Sequence, residues 1–236
     1  MTADPWTRSV RHQLGLGRLL PLGGARDGAW ISEETAGEVL RGAVSGTDGV
    51  RLGALRIGLA DPEEVRESAV PPPPSALPPG PLRISAEFEA TPVEPLPVQA
   101  AWLRAALAAA SEQLGLTVVE VDLRVTALLD DGVEPAPVRQ SRAPRAVAAP
   151  GDGDEGRAAA AVLAVPGAAC LTSVLGRPVH IEERESEGAL PRRHVRVELA
   201  VDTDHRALDV AREVRTAVGG ALADHPTVAV LVTGVA

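Results

Sequence analysis

The chain has 236 residues and a mass of 24.4 kDa, room for one large domain or two small ones. Its net charge of −9 argues against a protein that coats nucleic acid, which needs a basic face, and no run approaches the ~18 apolar residues of a membrane span. A single cysteine, Cys170, forms no internal disulfide and builds no zinc site with other thiols. The apolar fraction of 45% rests on 40 alanines, with three tryptophans and one phenylalanine, so any core is built from Val, Leu and Ala.

Residues 1–30 form an N-terminal segment without a signal-peptide core, and the chain is expected to be cytoplasmic. Over residues 2–26, Arg8, Arg11, Arg18 and Arg26 against Asp4 give a local charge of +3, leaving −12 on the remainder of the chain. Trp6, Val10 and Leu14 follow helical spacing, with Leu20 close by. Such a basic amphipathic segment can lie on an anionic membrane or dock on a partner, and these four residues are the candidate contacts. The plainer reading packs the stripe back on the protein's own sheet. Gly15 and Gly17 weaken a helix here.

A first unit is expected over residues 31–129. Residues 31–46 (ISEETAGEVLRGAVSG) read as a helix, with Ser32 as N-cap and Ala36, Val39, Leu40 and Ala43 on one stripe. Residues 50–59 give a broken alternation that reads as a strand. The proline-rich insertion at 70–81, seven prolines in VPPPPSALPPGP, predicts an extended spacer. Leu82, Ile84, Ala86 and Phe88 then alternate with polar residues as a second strand. Residues 97–113 predict a helix that buries Val98, Trp102, Ala106 and Ala110, widened by Leu103 and Leu107; Gly115 ends it, and a strand follows over 117–125.

Residues 130–157 mix proline, glycine and charge without periodicity and predict a disordered linker. A second, shorter unit over 158–236 repeats the order: a brief Ala-rich helix, a strand within 169–182, a strand at 194–201, a helix at 206–223 and a strand at 227–235. An offset of 111 without gaps aligns Ile84, Ala86 and Phe88 with Val195, Val197 and Leu199, and Leu103 and Leu107 with Val214 and Val218. It also aligns Val119 with Val230 and Val121 with Val232. The expected fold class is α+β, as two tandem α-β-β-α-β units. Each is a small three-stranded mixed sheet, an antiparallel hairpin plus a right-handed parallel crossover, with helices on one face.

This order, with VQAAWLRAALAAASEQLGLTVVEVDLRV carrying the second helix into the third strand, resembles the alkaline shock protein family of general stress proteins of the bacterial envelope. The second half resembles a degenerate copy ending HVRVELAV, AREVRTAV and PTVAVLVTGV. Similar actinobacterial proteins carry a nucleopolyhedrovirus-type label, from which no viral role is read. The resemblance implies a non-enzymatic stress-response or scaffold protein of the cell envelope. It would self-associate as an oligomer and bind a membrane-anchored partner, with no cofactor, metal or catalytic residue. Two weak sites on one chain would raise avidity through effective concentration.

The residues themselves offer few alternatives. Asp202, Asp204 and His205 read as turn and helix-cap residues sooner than metal ligands, and His180 with Glu182 and Glu183 as solvated edge residues sooner than an acid–base pair. Cys170 sits in an apolar setting that raises a thiol pKa. Gly46-Thr47-Asp48-Gly49 has the G-x-x-G spacing of a KH-type nucleic-acid module, the alternative function. That turn leads from helix to strand and Asp48 would repel phosphate, so nucleic acid is an unfavoured partner. Arg139, Arg142 and Arg145 form a linker cluster.

Overall fold

A computed structural model describes residues 17–45, 49–129, 143–186 and 189–236. Their elements begin with β1 (Leu19–Leu22), β2 (Ala29–Ser32), α1 (Glu33–Val44), β3 (Val50–Leu59), β4 (Leu82–Ala90), α2 (Leu96–Leu114) and β5 (Val118–Leu128). They continue with α3 (Asp154–Leu163), β6 (Ala168–Leu171), β7 (Val179–Ser186), β8 (Ala189–Val201), α4 (Ala207–Ala221) and β9 (Thr227–Val235). The class is α+β, but the two sheets are unequal: one has three strands in the order β3-β4-β5, the other six, with β1-β2-β9-β8-β6 in line and β7 also on β8.

Local chemistry accounts for several boundaries. Ser32 caps α1: its hydroxyl accepts the Thr35 N–H at 3.1 Å and donates to Thr35 Oγ1 at 2.7 Å, a cap worth about 1 kcal/mol. Gly115 ends α2 in the left-handed region, φ 90°, where a Cβ would also collide with Leu208. The buried face of α2 keeps the predicted Leu103 and Leu107 but departs from the rest of the predicted stripe. It consists of Gln99, Leu103, Leu107, Ser111 and Leu114, while Val98 and Trp102 are 53% and 41% exposed. Two polar residues tolerate burial because they bond locally: Gln99 Nε2 donates to the carbonyls of Thr91 and Glu94, both at 2.9 Å, and Ser111 Oγ to Leu107 O at 2.7 Å.

The three-stranded expectation fails for the larger sheet because β1 and β2 belong to it, over residues placed in a separate N-terminal segment (up to 30) and at the start of the first helix (Ile31 and Ser32). β1 and β2 form an antiparallel hairpin, and β2 lies parallel to β9, with Ala29 opposite Val230 and Ile31 opposite Val232. Every residue of both strands is buried. Helix α4 fixes the hairpin turn: Arg212 Nε donates to Asp27 Oδ1 at 2.8 Å, and Arg215 Nη1 to the carbonyls of Arg26 and Asp27 at 2.7 and 2.6 Å. The strand expected within 169–182 is split in two; β6 and β7 pair with successive stretches of β8.

The proline-rich insertion is a strap and not a free spacer. It leaves the end of the β3–β4 hairpin, where Ala60 N–H donates to Pro81 O at 2.8 Å, and crosses to the larger sheet. There Leu77 N–H donates to Leu19 O at 2.8 Å, Leu19 N–H to Ser75 O at 3.2 Å, and Trp30 Nε1 to Leu77 O at 3.3 Å. Val70 completes a small second core with Leu19, Trp30, Ala229 and Leu231. β1, β2 and β9 are therefore buried on both faces, by the main core on one side and the strap on the other. The main core joins residues of both sheets and all four helices in one cluster. The linker also runs shorter than expected: Val147 N–H donates to Leu171 O at 3.0 Å, and α3 begins at Asp154.

Candidate functional site

β5 ends the smaller sheet. It pairs parallel with β4 along its length, with register shifts at Val119 and Thr126, and among the described residues no strand lies on its other side. Its side chains are half-buried or exposed throughout, with Val119 at 63%, Val125 at 39% and Leu128 at 64%. By the 111-residue offset its counterpart is β9, whose residues from Val228 to Val232 are all buried. The difference lies in neighbours: β9 has β8 on one side and β2 on the other, whereas among the described residues β5 has β4 alone.

The two free edges of this sheet are covered differently. At β3, Arg18 Nη2 donates to Ile57 O at 2.7 Å and Glu33 Oε1 accepts the Ile57 N–H at 3.4 Å, while the two side chains pair at 3.3 Å. An ion pair thus stands in for a neighbouring strand. Burial works against the Glu33 charge, but Arg18 and the Ile57 N–H hold its carboxyl below the ordinary carboxylate value. At β5 the cover among the described residues is one exposed side chain, Arg104, whose Nε donates to Val121 O at 3.3 Å. The outer face of the sheet is a charge ladder: Arg51–Glu89 at 2.9 Å, Arg83–Glu120 at 2.7 Å, Arg83–Asp122 at 3.6 Å and Arg124–Glu87 at 3.7 Å. Such exposed pairs each contribute less than about 1 kcal/mol and keep the face soluble.

A second cluster lies on the larger sheet, on the face opposite the main core. β7 brings His180 opposite Arg196 and Glu182 opposite His194. Glu198, fully buried, accepts the Leu175 N–H through Oε2 at 2.9 Å; its Oε1 has no hydrogen-bond partner and lies 3.7 Å from Arg196 Nη2. Burial pushes Glu198 up to about 7, against the pull of Leu175, Arg196 and Val174. The His194 ring, 2.8 Å from Thr227 Oγ1, is pushed down to about 4 by burial and by the charge of Arg184, with Glu182 opposing. These groups hold protons at unusual values, but Glu198 is enclosed and cannot meet a substrate. An open cleft of about 520 Å³ runs between the strap and β7, with Arg66 and Arg184 on its walls.

The structure disperses the residues singled out by sequence. Trp6, Val10 and Leu14 lie outside the described residues, as do Gly46, Thr47, Asp48, Arg139 and Arg142. Leu20 is fully buried in the main core and is removed as a contact residue, because its strand lies beneath helices and strap. Arg145 is exposed. Asp202 Oδ1 accepts the Asp204 N–H at 3.3 Å, a turn as expected, but Asp204 does not cap the helix; Arg206 precedes α4, without a side-chain cap. Among the described residues no group of three His, Cys, Asp or Glu is placed to hold a metal ion. His180 Nε2 lies 3.6 Å from Glu182 Oε2, and Arg184, by hydrogen bonding at 2.6 Å, holds Glu182 below its ordinary value. Burial raises the Cys170 thiol, as its apolar setting predicts. Among the described residues no helix is long and apolar enough to cross a membrane.

Compared with protein-family models, with curated proteins and with solved structures, the chain finds no match.

Proposed function

We propose that this is a non-catalytic association protein, a scaffold acting by self-association and by binding a membrane-anchored envelope partner, as its resemblance to the alkaline shock proteins implies. The observation that carries the reading is the open edge of β5, an eleven-residue strand that exposes Val119, Val125 and Leu128 where its counterpart β9 is covered by β2. Strand edges of that length and apolarity pair with other chains unless something blocks them. Two tandem α-β-β-α-β units are the architecture we read beneath the unequal sheets. Support comes from the shared order, from the antiparallel β3–β4 and β7–β8 hairpins each followed by a parallel crossover, and from the offset residues. Ile84, Ala86 and Phe88 are buried, as are Val195, Val197 and Leu199.

Size-exclusion chromatography with light scattering tests the reading. The apparent mass is expected to rise above 24.4 kDa as concentration increases through the micromolar range. A mass that stays at the monomer value throughout removes the self-association.

The envelope tether is a separate claim on the basic N-terminal segment. Truncation must stop at residue 16, since β1 begins at Leu19 and is part of the core. Removal of residues 1–16 is expected to abolish sedimentation with anionic lipid vesicles while leaving the melting transition intact; equal sedimentation by both forms refutes the tether.

A further inference from the structure

We infer that the occupant of the β5 edge is β5 of a second copy, paired antiparallel about a two-fold axis through Leu123. The inference rests on the association reading above and adds the partner, the orientation and the register. Between its irregularities at Val119 and Thr126, β5 is regular over Glu120, Val121, Asp122, Leu123, Arg124 and Val125. Glu120, Asp122 and Arg124 lie on the outer face; Val121, Leu123 and Val125 lie on the inner face, where Ile84, Ala86 and Phe88 are their neighbours on β4.

A two-fold axis perpendicular to the sheet keeps outer residues beside outer ones, so the axis must pass at a residue and not between two. Few registers are then available. An axis at Val121 sets Glu120 opposite Asp122 of the second copy, and one at Asp122 sets that carboxylate against its own twin. An axis at Arg124 opposes two guanidinium groups. The axis at Leu123 alone makes every central pair favourable: Asp122 faces Arg124 twice, Val121 faces Val125 twice, and Leu123 meets Leu123. Opposite charges and apolar pairs directly across strands stabilise, and like charges destabilise.

The exposed state of these side chains fits such a partner. Asp122 and Arg124 are 54% and 79% exposed and only loosely held within the chain, at 3.6 Å from Arg83 and 3.7 Å from Glu87. Val125 and Leu128 are exposed on the inner face, and Val118 would meet Leu128 at the two ends of the pairing. The long Arg104 bond to Val121 O is the contact the second strand would replace. Joining two three-stranded sheets in this way makes one of six, so that each β5 gains the second neighbour that β9 already has in β2.

Charge reversal tests the register, because both positions are exposed and each variant should fold. Asp122→Arg and Arg124→Asp are each expected to weaken homodimerisation about tenfold, since each places like charges opposite one another twice. The double variant D122R/R124D is expected to restore it. An equimolar mixture of the two single variants is expected to form the heterodimer, two arginines facing two aspartates. If the parent chain associates and the reversals change nothing, or if neither the double variant nor the mixture recovers association, the register is overturned while the association reading stands. A parent chain that remains monomeric at every concentration overturns both.

Discussion

Glu198→Gln is expected to gain about 3 kcal/mol of stability over the parent chain between pH ~4.5 and pH ~7.5, measured by chemical denaturation across that range. The carboxyl is raised from 4.5 to about 7 in the folded chain, so in this window the unfolded chain ionises while the folded one stays protonated. Its contribution is fully present below pH 4.5, is lost as pH rises towards 7, and changes no further above that. His194 acts in the opposite sense. Its folded value is depressed from 6.5 to about 4, so the unfolded chain takes up a proton first and stability is lost as pH falls from 6.5 to 4. Between about pH 4.5 and 6.5 the two slopes oppose each other, and the parent chain should show a nearly flat contribution from the pair. The glutamine variant exposes the histidine slope, with stability rising up to pH ~6.5. A variant whose advantage over the parent is the same at both ends of the range would show that Glu198 is ionised in the fold throughout.

Trp30→Ala is expected to cost about 3–5 kcal/mol, the range for loss of a fully buried large aromatic. It should also release the strap. Trp30 fills the second core with Leu19, Val70, Ala229 and Leu231, and its indole N–H holds the Leu77 carbonyl. Without the ring the strap loses the largest side chain of that core and the indole hydrogen bond to Leu77. Limited proteolysis is therefore expected to cut within residues 66–79 under conditions that leave the parent intact. Trp30→Phe keeps most of the buried surface and loses the hydrogen bond, so it should cost about 1 kcal/mol and leave the strap protected. Destabilisation without new cleavage in the strap would refute its anchoring by Trp30.

The elements that bury one face were legible because alternation reports one-sided burial. β4 shows it, with Leu82, Ile84, Ala86 and Phe88 buried and the residues between them exposed or half-buried, and Ser32 and Gly115 mark helix ends by their own chemistry. The β1–β2 hairpin was not legible as strands. LLPL and AWIS are apolar without alternation, since the main core covers one face and a strap some fifty residues away in sequence covers the other. The turn residues between them, Gly23, Gly24 and Gly28, were the available signal. Leu103 and Leu107 were legible in α2, but Gln99 and Ser111 read as surface residues; Gln99 Nε2 and Ser111 Oγ find nearby carbonyls, while Gln99 Oε1 is buried without a hydrogen-bond partner. Glu198 was invisible for a related reason: in HVRVELAV the charged residues read as a solvated face, and nothing local announces that the loop carrying Leu175 folds over one of them. The open edge of β5 depends on which strands find neighbours, a matter of topology that strand periodicity does not carry.

Hydrogen–deuterium exchange of the full chain at low and high protein concentration addresses the β5 edge most directly. Amides within Val118–Leu128 are expected to gain protection as concentration rises, while those of β3, whose edge is already closed by Arg18 and Glu33, keep theirs unchanged. Exchange in β5 that does not depend on concentration, or protection that appears elsewhere instead, would contradict association through this strand.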